Sequence, residues 1–133
     1  MAAPILKRIL LVEDDPDIQA VASLALTTLG GFAVRVCSSG PEAIAAAPSY
    51  LPHLILLDVM MPGTDGPTTL RALREIPQIA ETPVVFMTAK VQPHEIEEYQ
   101  RAGCASVIAK PFEPSALPEA LQNIWSRFHG KDD

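Results

Sequence analysis

Five short apolar runs, separated by segments of helical length, constrain this chain more than any other feature of its sequence. They are Ile9 to Val12, Phe32 to Cys37, Leu54 to Leu57, Val84 to Met87 and Val107 to Ala109. Each is short and rich in Val, Ile or Leu, as a strand covered on both faces must be. The second departs from this pattern. Arg35 interrupts it and it alternates weakly, which suits an edge strand with one face in water. Between the runs the periodicity becomes helical. Ile18, Val21, Ala22, Ala25 and Leu29 make one apolar stripe, and Leu117, Leu121, Ile124 and Phe128 make another. Pro16, Pro41, Pro67 and Pro93 stand where helices begin, in the one turn where a missing N–H is harmless. Gly30-Gly31 and Gly103 fall where helices end, as left-handed caps.

Strands that alternate with helices need right-handed crossovers, and these impose a parallel sheet with helices on both faces. The expected fold is α/β: a doubly wound, five-stranded parallel sheet of order 2-1-3-4-5, flavodoxin-like. A chain of 133 residues holds one core of ordinary size. We therefore expect a single domain over residues 1–133, with its body at about 6–128, and, since no linker is evident, a free-standing one. Such a sheet puts Cys37 at one edge and Cys104 near the other, too far apart for a disulfide. His53, His94 and His129 are scattered and suggest no zinc site.

Composition narrows the function classes. Hydrophobic residues at 48% and charged residues at 20% describe a folded chain rather than a disordered one. The net charge of −6 argues against a nucleic-acid backbone as partner. No apolar run approaches bilayer length. Lys7 and Arg8 precede only four apolar residues before Glu13, Asp14 and Asp15, which is no signal peptide. A cytoplasmic protein without membrane contact is the expectation.

The reactive side chains fall at strand ends. Glu13, Asp14 and Asp15 follow the first strand and Asp58 ends the third, while Thr88 and Lys110 end the fourth and fifth. Ligands of open parallel sheets bind at those carboxyl ends, near the switch in strand order. Three crowded carboxylates repel one another, and a hard dication such as Mg²⁺ relieves the repulsion. Asp15 and Asp58 are expected as direct ligands, Asp14 as a ligand or water-mediated partner, and Met60 as the donor of a backbone carbonyl. Asp58 would then act as a carboxylate nucleophile that accepts a phosphoryl group. Lys110 and Thr88 would compensate the charge on the transferred oxygens. Taken alone, Asp14-Asp15-Pro16 reads first as a helix cap, Lys110 as a solvated lysine and Thr88 as a strand-end hydroxyl. Their coincidence at four strand ends favours a site. Asp65 is expected as a plain cap, and Trp125 as a residue at the edge of the core.

Four segments then carry a family resemblance: Leu11 to Pro16, Leu57 to Gly66, Met87 to Lys90 and Ala109 to Phe112. In order and context they resemble the receiver domain of response regulators, over roughly residues 6 to 128. The resemblance implies a signalling switch in a two-component or phosphorelay system, with a sensor histidine kinase or phosphotransfer protein as donor to Asp58. It implies that the chain is no enzyme beyond its own phosphorylation and slow dephosphorylation. It further implies a cis peptide at Lys110–Pro111, and output to a downstream protein through the face of the fourth helix, fifth strand and fifth helix. The state expected is a monomer or a weak phosphorylation-dependent dimer. Met60 and Lys90 stand where the family tunes phosphoryl lifetime. One departure is plain: Val107 occupies the place of the usual aromatic residue, and Tyr99, on the fourth helix, cannot replace it. A constitutive protein-binding module that keeps the fold is the alternative. A small-molecule phosphoaspartate hydrolase is weaker, since Met60 stands where its acid would be and the chain has no room for a cap.

Overall fold

The computed structural model describes residues 4–130. Its strands are β1 (Arg8–Val12), β2 (Ala33–Cys37), β3 (Leu54–Asp58), β4 (Val84–Thr88) and β5 (Ser106–Ala109). The helices between and after them are α1 (Pro16–Leu24), α2 (Gly40–Tyr50), α3 (Gly66–Arg74), α4 (Pro93–Ala102) and α5 (Leu117–Gly130). All strand pairs are parallel and the order is β2-β1-β3-β4-β5, as the alternation of runs requires.

Strand periodicity divides the core into two layers. Leu10, Val12, Ile55, Leu57, Val84 and Phe86 face Ala43 and Ala47 of α2, Leu70 and Leu73 of α3 and Tyr99 of α4. Ile9, Leu11, Leu54, Leu56, Val85 and Met87 face Ala22 of α1, Leu26, and Leu121, Ile124 and Trp125 of α5. β3 and β4 are buried at every residue, whereas β2 alternates between exposed and partly buried positions until Cys37, the expected edge strand. Cys37 and Cys104 are free, and burial pushes both thiols up to about 11.

The first helix departs from its expected stripe. Ala22, Ala25 and Leu26 are buried, but Val21 is 44% and Leu29 62% exposed. A π-helical turn at Ala25–Leu29, where the N–H of Gly30 reaches back five residues to the carbonyl of Ala25, carries Leu29 off the stripe. The helix then ends at Gly31, whose φ is 71°. In α5, Trp125 is buried beside the stripe, and its indole N–H donates to the carbonyl of Pro4 at 2.6 Å.

At the opposite end of the sheet from the acidic residues, His53 holds the lead into β1. Its Nδ1 accepts the backbone N–H of Lys7 at 3.1 Å and of Arg8 at 3.0 Å, so this nitrogen must be unprotonated. Burial, then the charges of Arg8 and Lys7, hold the imidazole below its ordinary value of 6.5. A histidine whose folded pKa is depressed contributes full stability above its unfolded pKa. That contribution is lost as pH falls from the unfolded value toward the folded one. Urea midpoints are therefore expected to drop between about pH 7 and pH 5. His53→Gln, whose side-chain oxygen also accepts, should flatten that slope.

Candidate functional site

The carboxyl ends of β1, β3, β4 and β5 converge because the register places Val12 beside Leu57, Asp58 beside Met87 and Thr88 beside Ala109. Glu13, one residue past β1, is buried, and so are Asp58 and Thr88. Buried carboxylates need partners, and Lys110 supplies one to both. Its Nζ lies 2.7 Å from Glu13 Oε1 and 3.2 Å from Asp58 Oδ1. Asp58 Oδ1 also accepts the N–H of Met60 at 3.3 Å, and Glu13 Oε2 accepts the N–H of Asp15 at 3.0 Å.

Burial pushes the Glu13 carboxyl above its ordinary value, and the hydrogen bonds from Lys110 and the Asp15 N–H offset this only in part. Burial alone would lower Lys110, but the bond to Glu13 and the charge of Asp58 outweigh it and raise the ammonium. Lys110 therefore stays charged. Thr88 Oγ1 accepts the N–H of Lys90 at 3.0 Å, which fixes the oxygen and leaves the hydroxyl proton as a donor.

Oxygen atoms of Glu13, Asp14 and Asp58 lie within 4.8 Å of one another. Three hard carboxylates beside one ammonium leave a negative excess, which suits a dication such as Mg²⁺. Here the side chains are arranged differently from the sequence reading. Asp15, expected as a direct ligand, spends its side chain on the helix: Oδ1 accepts the N–H of Asp17 at 2.8 Å and of Ile18 at 3.3 Å, capping α1. Pro16 at the first helical position forces that geometry. Glu13, rather than Asp15, joins Asp14 and Asp58 in the acidic cluster. Met60 lies exposed two residues past Asp58.

Asp65 caps α3 as expected, accepting the N–H of Thr68 at 2.9 Å. Lys110–Pro111 is cis. Val107 is half-buried opposite Phe86, and Tyr99 packs edge-on against Phe86 in the core, so it belongs to the α4–sheet contact. Beside Lys110 opens an apolar cleft of about 390 Å³, bounded by Ile18, Val21, Ala89, Pro111 and Phe112.

Gly66 shows how closely the end of β3 is held. A Cβ there would lie 2.8 Å from Val59 Cα and 2.9 Å from the Asp58 carbonyl, both backbone atoms. Gly66→Ala must therefore displace the peptide that carries Asp58. It is expected to cost about 1–3 kcal/mol in urea unfolding, the usual range for overpacking.

The family model of the response regulator receiver domain matches residues 9–122. Response regulator Rre1 of Synechocystis sp. is 35% identical over 134 residues, which take in 100% of this chain and 57% of that protein. The DNA-binding response regulator MtrA of Mycolicibacterium smegmatis is 33% identical over 127 residues, covering 96% of this chain and 53% of its own length. The chain thus spans little more than half of these relatives. Among solved structures, the chemotaxis protein CheY4 of Vibrio cholerae superposes with a TM-score of 0.84 at 29% identity, over 90% of this chain and 99% of that one. A putative response regulator from Chloroflexus aurantiacus does so at 0.82 and 31%, over 92% and 99%. No helix among the described residues is long and apolar enough to cross a membrane.

Proposed function

This chain belongs to the response regulator receiver domain family, and on that footing we propose that it is a phosphorylation-dependent switch whose acceptor is Asp58. The observation that carries the reading is the setting of that carboxylate. It is buried at a strand end, within reach of the Lys110 ammonium, the Thr88 strand end and two further carboxylates.

In this reading a sensor histidine kinase or phosphotransfer protein presents a phosphohistidine. Asp58 Oδ1 is engaged by Lys110 and the Met60 N–H, so the second oxygen attacks phosphorus. The P–O bond forms as the P–N bond breaks, and the bonding pair leaves with the imidazole. Lys110 compensates one phosphoryl oxygen, and the Thr88 hydroxyl with nearby backbone N–H groups takes another. Glu13, Asp14, Asp58 and the Met60 carbonyl would hold Mg²⁺, which would supply positive charge to the phosphoryl group. Water later attacks the acyl phosphate, releasing inorganic phosphate and restoring the carboxylate. The chain acts on no other substrate, so it is a switch rather than an enzyme.

The exposed apolar rim beside Lys110 gives the donor protein a surface to rest on. Output leaves through the face of α4, β5 and α5, where β5 is only partly covered, toward a downstream protein. DNA binding belongs by name to the longer relative MtrA, and the net charge of −6 here does not favour it. Val107 in place of an aromatic residue supports the second reading, a binding module indifferent to phosphorylation.

The test is incubation with Mg²⁺ and acetyl phosphate, followed by intact mass. The expected result is a gain of one phosphoryl group that disappears when Mg²⁺ is chelated. A folded, Mg²⁺-binding chain that gains nothing would overturn the switch in favour of the binding module.

A further inference from the structure

We infer that Gln19, which takes no part in phosphoryl transfer, is a positioning residue that sets the conformation of the acidic loop and thereby its affinity for the cation. The inference rests on the reading of Glu13, Asp14 and Asp58 as the cation's carboxylates.

Three carboxylates within 4.8 Å repel, so an empty loop opens unless something holds it. Glu13 is held at every polar atom. Its N–H donates to the Cys37 carbonyl at 3.0 Å, and its two carboxylate oxygens accept from Lys110 and from the Asp15 N–H. The remaining atom, its backbone carbonyl, accepts from Gln19 Nε2. That carbonyl lies in the planar peptide unit that joins Glu13 to Asp14. Fixing its direction therefore fixes where the chain enters Asp14. Asp14 is exposed, and its carboxylate depends on that peptide for its place.

Gln19 is itself anchored. It stands on the rigid, capped helix α1, is half-buried, and donates its second amide proton to Ser38 Oγ at 3.0 Å. Ser38 follows β2, and its N–H donates to Glu42 Oε2 at 3.2 Å. One amide group thus ties the acidic loop to the loop after the neighbouring strand. The carbonyl can only accept, so the group facing it must be a donor.

The experiment measures Mg²⁺ affinity by calorimetry, with the thermal midpoint and amide exchange at Asp14 and Asp15, for the parent chain, Gln19→Met and Ser38→Ala. Gln19→Met keeps the bulk and removes the donor. Its Mg²⁺ dissociation constant should rise about tenfold, the scale seen when a group orienting a metal ligand is removed. Exchange at Asp14 should quicken, while the thermal midpoint stays within about 3 °C, the shift produced by less than one hydrogen bond. Ser38→Ala loosens the same strap at its far end and should weaken binding about threefold. That variant carries the test should Gln19→Met not fold. Parent-like affinity in the folded variants overturns the inference and leaves the site standing. A parent chain that binds no Mg²⁺ overturns the site reading itself.

Discussion

Asp58→Asn is expected to remain folded and to take up no phosphoryl group from acetyl phosphate, whatever the Mg²⁺ concentration. The amide has the shape of the carboxylate, and its oxygen can still accept from the Met60 N–H and from Lys110, as Asp58 Oδ1 does. What it lacks is the anionic oxygen that attacks phosphorus. Neither neighbour can substitute. Both oxygens of Glu13 are engaged, by Lys110 and by the N–H of Asp15, and the residue is 1% exposed. Asp14 is exposed and has no ammonium beside it among the described residues. The substitution also removes one of three crowded charges, so the metal-free variant should unfold at a urea concentration no lower than the parent's. Its Mg²⁺ affinity should fall by roughly tenfold or more. Intact mass and calorimetry read the two effects separately. A phosphoryl group retained by the variant would move the acceptor to Asp14.

The strands were legible because a parallel sheet buried on both faces leaves continuous apolar runs, and Leu54 to Leu57 or Val84 to Met87 can be little else. Once their order follows from the crossovers, Asp58, Thr88 and Lys110 fall at the same end of the sheet. In the acidic loop the expected ligands and the observed cluster differ by one residue, although the signal is present in the sequence. An aspartate directly before a proline that opens a helix is a cap before it is anything else. Asp15 is such a residue, which leaves Glu13 and Asp14 for the site. That Glu13 is buried could not be read locally. Its burial depends on Lys110, 97 residues away in sequence. The π-helical turn of Ala25–Leu29 has no signature in Ala-Leu-Thr-Thr-Leu. Nor does a glycine mark the end of α2, where Leu51 itself takes a left-handed φ of 51°. The two backbone bonds accepted by His53 were invisible for a similar reason, since backbone partners leave no trace in side-chain patterns.

Lys110→Met should give the largest effect that leaves Asp58 in place. Among the described residues, Lys110 is the cation within 4 Å of both buried carboxylates, and methionine keeps its length without its charge. Two consequences follow from one deletion. Without the ammonium, Glu13 is a buried carboxylate with no counter-ion, and burial already pushes its carboxyl upward. Breaking such a pair by removing one partner costs about 3 kcal/mol, so the metal-free variant should lose stability on that scale in urea unfolding. Added Mg²⁺ should restore part of it, because the dication answers the same charge. The second consequence is kinetic. Phosphoryl transfer from acetyl phosphate should slow by about 10²–10³-fold, the effect of losing one preorganised group that meets charge in the transition state. The two effects are separable, since Mg²⁺ can return stability without returning a donor to the phosphoryl oxygen. A variant rescued in stability and still slow would place the ammonium on the reacting group. One rescued in both would make Lys110 the structural counter-ion of Glu13, and would leave the phosphoryl oxygens to Thr88 and the backbone N–H groups around Asp58.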